Sequence, residues 1–225
     1  MDVLQVVEDI GALHASAATT PYLTLWSRME TFNRQQLDVE LYEKRTLVRL
    51  LCMRYTMHIV PSQRMPAVFQ ALGALLQERH LRQIHQLLVW AGLCQEGDEP
   101  ETLRRLEAQV EEALADGLPR TVSELGQVVP ELKAQMSYSP GRPYAGRLSV
   151  GSRLVPGMCI LGALARVQPR GTWRSNQHRY TPLATWLPDV NLDAVTAEHA
   201  QASLVRGYLA AFGPSTLEDI IWWSG

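Results

Sequence analysis

The chain has 225 residues, 46% of them apolar and 20% charged, the balance of a folded globular protein with room for one large domain or two small ones. No stretch approaches the ~18 uninterrupted apolar residues of a membrane helix, and the start MDVLQVVEDI carries acids without a basic n-region, so it is not a secretory signal. Cys52, Cys94 and Cys159 are odd in number and far apart, which excludes a disulfide framework and a Cys-pair zinc site and fits a reducing cytoplasm.

The net charge is −2, but its distribution is uneven. Between Arg142 and Tyr180 there are seven arginines (142, 147, 153, 166, 170, 174 and 179) and no Asp or Glu, and from Lys44 to Gln77 five basic residues and again no acid. The acids gather in 96–131 and 189–219. Two acid-free basic segments in a near-neutral chain give a patterned charge of the kind that neutralises phosphates. The cations are 19 Arg against 2 Lys. Arg forks to phosphate and to guanine edges, although a GC-rich genome produces the same bias.

In chain order, residues 3–14 place Val3, Val6, Val7, Ile10 and Leu13 on one helical face. Pro21 opens a second helix, PYLTLWSRM, and QLDVELYEKR reads as a third. LVRLLCMR and YTMHIV are β-prone runs ending at Pro61, a short hairpin. Two helices over about 62–78 and 80–93 follow, and Gly97-Asp98-Glu99-Pro100 breaks the chain. ETLRRLEAQVEEALADG is amphipathic and stopped by Gly117, after which Thr121 and Glu124 stand in capping-box spacing. The Pro/Gly/Tyr-rich SYSPGRPYAG leads to VGSRLVPGMCILGAL, a helix running into a strand; ARVQ and RYTPL then flank a long basic tip, PRGTWRSNQH. Three helices followed by a basic hairpin is the order of a winged helix.

Residues 194–212 form a further helix before Gly213-Pro214, with Ser215 and Glu218 again in capping-box spacing. The same pattern therefore occurs at 113–125 and 209–221, as in a short repeat. The expected architecture is mainly α with small β-hairpins (α+β), as tandem winged-helix units. The first spans 1–97, the second with its basic wing 98–188, and a third begins at 189–225 and is cut off there.

Three places can carry chemistry. In Leu13-His14-Ala15-Ser16, residues i and i+2 share a side if the chain is extended; His14 then acts as base or orienter and Ser16 holds water. Alternatively, His14 caps a helix C-terminus, where a cation is favoured, and Ser16 begins a turn. On the hairpin, alternation points Arg49 and Arg54 to opposite faces, one toward DNA and the other toward a structural carboxylate. At the tip, Arg170, Arg174 and Arg179 suit a wing that grips backbone or probes a minor groove; the bland alternative is a solvated hairpin. His80 and His85, five apart, do not share a helical face as a metal pair would. No GxGxxG, Walker-type, GxSxG or HExxH motif occurs.

LHASAATTPYLTLWSRM, YEKRTLVRLLCMRYTMHIVP and YLAAFGPSTLEDIIWWSG resemble the AlkZ/YcaQ-like family of winged-helix proteins, which includes DNA glycosylases that remove alkylated bases and unhook crosslinked ones. The resemblance covers nearly the whole chain, most specifically 13–61 and 204–225. It implies three tandem winged-helix units forming a concave surface that holds double-stranded DNA, with Arg49, Arg54, Arg147, Arg153, Arg170, Arg174 and Arg179 as candidate DNA contacts. The family's glycosylases carry Gln-x-Gln or Gln-x-Asp where this chain has His14-Ala15-Ser16; other relatives show a His-x-Thr-Asp-like version, and here Ala17 stands in place of the acid. Two readings follow. One is a DNA glycosylase hydrolysing the N-glycosidic bond of alkylated or crosslinked bases, with His14 and Ser16 catalytic. The other is a non-catalytic, regulatory or lesion-sensing DNA-binding protein; a protein-interaction module is a third class. No cofactor or metal is expected, and the chain is expected to be monomeric.

Overall fold

The computed structural model describes residues 2–138 and 146–225. Residues 139–145, with Arg142, lie outside them. The expected α+β class is what the chain adopts, with helices around small antiparallel sheets. Contacts divide it into two compact units that interleave in sequence. The first comprises Met1–Leu76, Val167–Asn176 and Leu187–Gly225; the second comprises Gln77–Arg166 and Gln177–Trp186.

Helix α1 (Val3–Asp9) starts where the Asp2 carboxylate accepts the Gln5 N–H at 2.8 Å. It is shorter than the helical period of 3–14 predicts. Gly11 sits at φ 78°, in the left-handed region that glycine enters without a Cβ penalty. The chain turns there into strand β1 (Leu13–His14). Leu13 is still fully buried, but as a strand residue. Helix α2 (Thr20–Trp26) has Pro21 in its first turn, and α3 (Arg34–Asp38) is held by an Asn33–Gln36 capping box and runs on into a π-helical turn over 39–43. Strands β2 (Leu47–Leu51) and β3 (Met57–Pro61) follow as the expected hairpin, and the sheet order is β1-β3-β2, antiparallel throughout. Val6, Val7, Leu13, Leu25, Leu37, Leu47 and Ile59 form the core beneath.

Helix α4 (Met65–Trp90) is one continuous helix where two were expected. Residues 77–80 (Gln-Glu-Arg-His) contain neither Gly nor Pro, so nothing in the backbone stops it. In the second unit, α5 (Glu99–Ala113), β4 (Arg120–Thr121) and α6 (Val122–Val128) lead to the hairpin β5 (Gln135–Tyr138) and β6 (Gly146–Ser149). Helix α7 (Gly151–Ile160), β7 (Leu164–Val167) and β8 (Arg179–Pro182) complete a sheet of order β4-β8-β7, and α8 (Leu183–Trp186) follows. The Thr121–Glu124 capping box forms as the spacing predicts. Leaving aside the β5–β6 hairpin, both units repeat one connectivity: helix, strand, helix, helix, strand, strand, with the last strand in the middle of the sheet.

Within the second unit, His80 of α4 lies against Gly157 of α7. A Cβ built on Gly157 would overlap the imidazole ring. His80 is 3% exposed, and its Nε2 has no hydrogen-bond partner among the described residues.

Helices α9 (Ala197–Phe212) and α10 (Leu217–Ser224) belong to the first unit. The cap of α10 differs from the expected Ser215–Glu218 pair. Thr216 accepts the Asp219 N–H at 3.2 Å, and the Asp219 carboxylate accepts the Thr216 N–H at 3.0 Å. Two pairs of the right spacing overlap in this sequence, and Thr216, whose backbone is extended, takes the cap.

Candidate functional site

Alternation along residues 13–16 decides the first site. Leu13 and Ala15 point inward, 0% and 3% exposed, while His14 and Ser16 are both exposed. The Ala15 N–H donates to the Met57 carbonyl at 2.7 Å, which extends the strand pairing past His14. His14 is therefore a strand residue, and the helix-end reading of it is set aside. Its Nε2 lies 3.1 Å from Ser16 Oγ, and Ser16 Oγ also accepts the Met57 N–H at 3.3 Å. The serine is thereby fixed on one side by backbone, and its own proton is left to donate to Nε2 when the His14 proton sits on Nδ1.

A third side chain joins this pair. His58 of β3 stands opposite His14 in register, the ring centroids 5.5 Å apart and edge-on at 84°. The Thr56 carbonyl, which can only accept, lies 3.1 Å from His58 Nδ1; this places the proton on Nδ1 and leaves Nε2 as an acceptor. Burial lowers the pKa of His58, the Thr56 hydrogen bond works the other way, and the charge of His14 lowers it further. His58 is thus held neutral beside His14. No sequence motif signals it, because its partner is 44 residues away and only the register of β1 on β3 brings the rings together.

The candidate arginines separate. Arg49 is 8% exposed, and its charge bears on Tyr22. A residue so buried is not a surface contact, and Arg49 leaves the set of exposed arginines. Arg54 is exposed in the turn at φ 56°, its guanidinium stacked 3.9 Å from the Trp222 ring of α10. Arg147 on β6 and Arg153 on α7 are exposed, and Arg179 is half-buried on β8, paired in register with Thr121.

The basic tip is not a freely solvated loop. Residues 167–176 pack within the first unit, where the Trp173 ring meets Tyr22 edge-on at 4.8 Å. The Tyr22 hydroxyl donates to Asp38 Oδ1 at 2.6 Å, and Arg34 reaches Asp38 Oδ2 at 3.4 Å. Burial and that hydrogen bond push the Tyr22 pKa up. Tyr22, Arg34, Asp38, Tyr42, Trp173 and Arg174 line a cavity of about 560 Å³, and neither His14 nor Ser16 is among its lining residues. Tyr22 and Asp38 carry no sequence signal, since TPYLTLW and QLDVEL read as ordinary amphipathic helix.

Among the described residues no group of three or more His, Cys, Asp or Glu is placed to hold a metal ion, and no helix is long and apolar enough to cross a membrane. Two units of shared connectivity, one presenting an exposed His–Ser pair on its first strand, define a helical protein with small sheets and a polar site at a strand edge. The model of the family described as DNA glycosylase AlkZ-like matches residues 7–225, and the chain belongs to that family. No curated protein matches it. Among solved structures, the Streptomyces sahachiroi DNA glycosylase AlkZ is 18% identical, with a TM-score of 0.66 over 100% of this chain. At that identity the likeness is one of fold. This chain spans 55% of the length of that protein.

Proposed function

We propose that the chain is a DNA glycosylase that binds double-stranded DNA and hydrolyses the N-glycosidic bond of alkylated or crosslinked bases, with His14 and Ser16 as its catalytic residues. The observation that carries this reading is the exposed His14–Ser16 pair, hydrogen-bonded at 3.1 Å on a strand anchored by the buried Leu13 and Ala15. The family membership supports the reaction class. The connectivity of both units is consistent with a winged helix, which supports contact with duplex DNA.

An N-alkylated purine is a cationic leaving group, so the site has to place a water and stabilise a cationic sugar rather than supply a strong base. Water oxygen bonds to the sugar C1′, the C–N electron pair departs with the base and cancels its positive charge, and the water's proton passes to the His14 imidazole. Ser16 Oγ, fixed by the Met57 N–H, orients the water or the imidazole. His58, kept neutral opposite, does not compete as a second cation. Arg54, Arg147, Arg153, Arg170, Arg174 and Arg179 supply the phosphate contacts. The free thiols Cys52, Cys94 and Cys159 fit a cytoplasmic setting, and a monomer suffices for the reaction.

The openness of the His14–Ser16 pair, which lines no part of the 560 Å³ cavity, favours a second reading in which the same surfaces bind DNA without chemistry. Incubation with alkylated duplex separates the two. Under the first reading wild-type protein releases free base, His14→Ala abolishes release while retaining duplex affinity, and Ser16→Ala lowers release less, since water partly replaces a hydroxyl. Undiminished release by the His14→Ala protein removes the catalytic assignment. Binding without release across several alkylated substrates establishes the second reading.

A further inference from the structure

We propose that the cavity formed by α2, α3 and the loop at 168–174 is a nucleotide-holding site, taking the ring and phosphate of one unpaired nucleotide apart from the His14 site. The proposal rests on the reading of the chain as DNA-binding and adds a named substrate element to it. Its volume, about 560 Å³, falls among ligand sites of about 300–1,000 Å³. The wall is fixed before any ligand arrives. Trp173 is set edge-on against Tyr22, which is 6% exposed and tied through its hydroxyl to Asp38, and Asp38 is in turn paired with Arg34. A ring held from two sides gives up little freedom on binding.

The charges in this wall are not equivalent. Asp38 already receives the Tyr22 hydroxyl and Arg34, so its carboxylate is occupied. Arg174 is exposed, lies 5.1 Å from the Trp173 centroid, and makes no ion pair with any described residue. An exposed arginine beside an aromatic face has N–H donors available to a phosphate. With two arginines and one aspartate on the lining, the cavity carries a net positive charge beside an indole. A phosphate of paired DNA would use Arg174 without needing a cavity; a free base would use the cavity without needing Arg174. The smallest chemistry that uses both is a nucleotide, its ring beside Trp173 and its phosphate on Arg174, as on the stacking platforms that hold unpaired strands. Two sources offer it: a nucleotide unpaired within a duplex, and a free nucleotide.

The test compares a fully paired duplex, the same duplex with one unpaired thymidine, and free thymidine monophosphate, each titrated into the whole chain. Wild type should bind the bulged duplex about tenfold more tightly than the paired one. That ratio should collapse toward one in Trp173→Leu and in Arg174→Gln, and survive in Trp173→Phe, which keeps a ring. Circular dichroism confirms that each variant is folded; should Trp173→Leu unfold, Arg174→Gln against Trp173→Phe makes the same comparison. Equal binding of the two duplexes, with saturable monophosphate binding lost in Arg174→Gln, assigns the site to free nucleotide. A ratio unchanged in the folded variants, or neither bulge preference nor monophosphate binding, overturns the proposal. Failure to bind any duplex instead sinks the DNA reading, and the monophosphate arm alone then decides the cavity.

Discussion

Substituting Gly157 by alanine tests the packing of α4 on α7. Two effects oppose one another. Alanine in a helix interior is worth about 1 kcal/mol over glycine, which would stabilise α7. Against that, the new methyl group would occupy the space of the His80 ring, whose Cε1, Nε2 and Nδ1 are the three nearest atoms. Overpacking of this kind costs about 1–3 kcal/mol, occasionally more, and His80, 3% exposed, has no solvent into which to swing without opening the contact. The net expectation is a loss of about 1–2 kcal/mol, read as a lower urea midpoint with an unchanged slope. The decisive measurement is the double-mutant cycle. With His80→Ala the ring is gone, so adding Gly157→Ala should stabilise the protein by about 1 kcal/mol, leaving a coupling of about 2–3 kcal/mol. A wild-type background in which Gly157→Ala is neutral or stabilising, or a cycle with no coupling, would refute the reasoning.

Burial, and then the charges of Arg153 and His85, hold the His80 pKa down to about 4, below its ordinary 6.5. The unfolded chain therefore takes up a proton that the folded chain refuses. Stability should fall as pH drops from 6.5 to 4 and level off below, by at most about 3 kcal/mol; a folded His80→Gln variant with the same slope would show that another group is responsible. Phosphate contacts by arginine predict that duplex affinity falls steeply with salt, and that reversing Arg170, Arg174 and Arg179 to Glu weakens binding to all sequences alike. Salt-independent affinity, measured by anisotropy, would mean that the grip is not ionic.

What the sequence determined by itself was local or periodic. The β2–β3 hairpin followed from two β-prone runs ending at Pro61, the α6 cap from the Thr121–Glu124 spacing, and the basic tip from the strands flanking it, since each depends on residues within a few positions of one another. The family likeness was legible at 13–61 and 204–225, and the family model matches residues 7–225. Tertiary structure decided what depended on distant partners. The apolar period of 3–14 is as regular as a helix needs, yet Leu13 pairs with Ile59 because Gly11 turns the chain and a sheet edge is waiting there. That one change turns His14 from a helix-end cation into the neighbour of Ser16 and His58. Arg49 and Arg54 look alike in sequence; burial makes one interior, and a positive-φ turn leaves the other stacked on Trp222. Trp173 and Asp38 are 135 residues apart, and no spacing rule joins them. The cavity they share forms because the tip packs within the first unit, where the Trp173 ring meets Tyr22 edge-on.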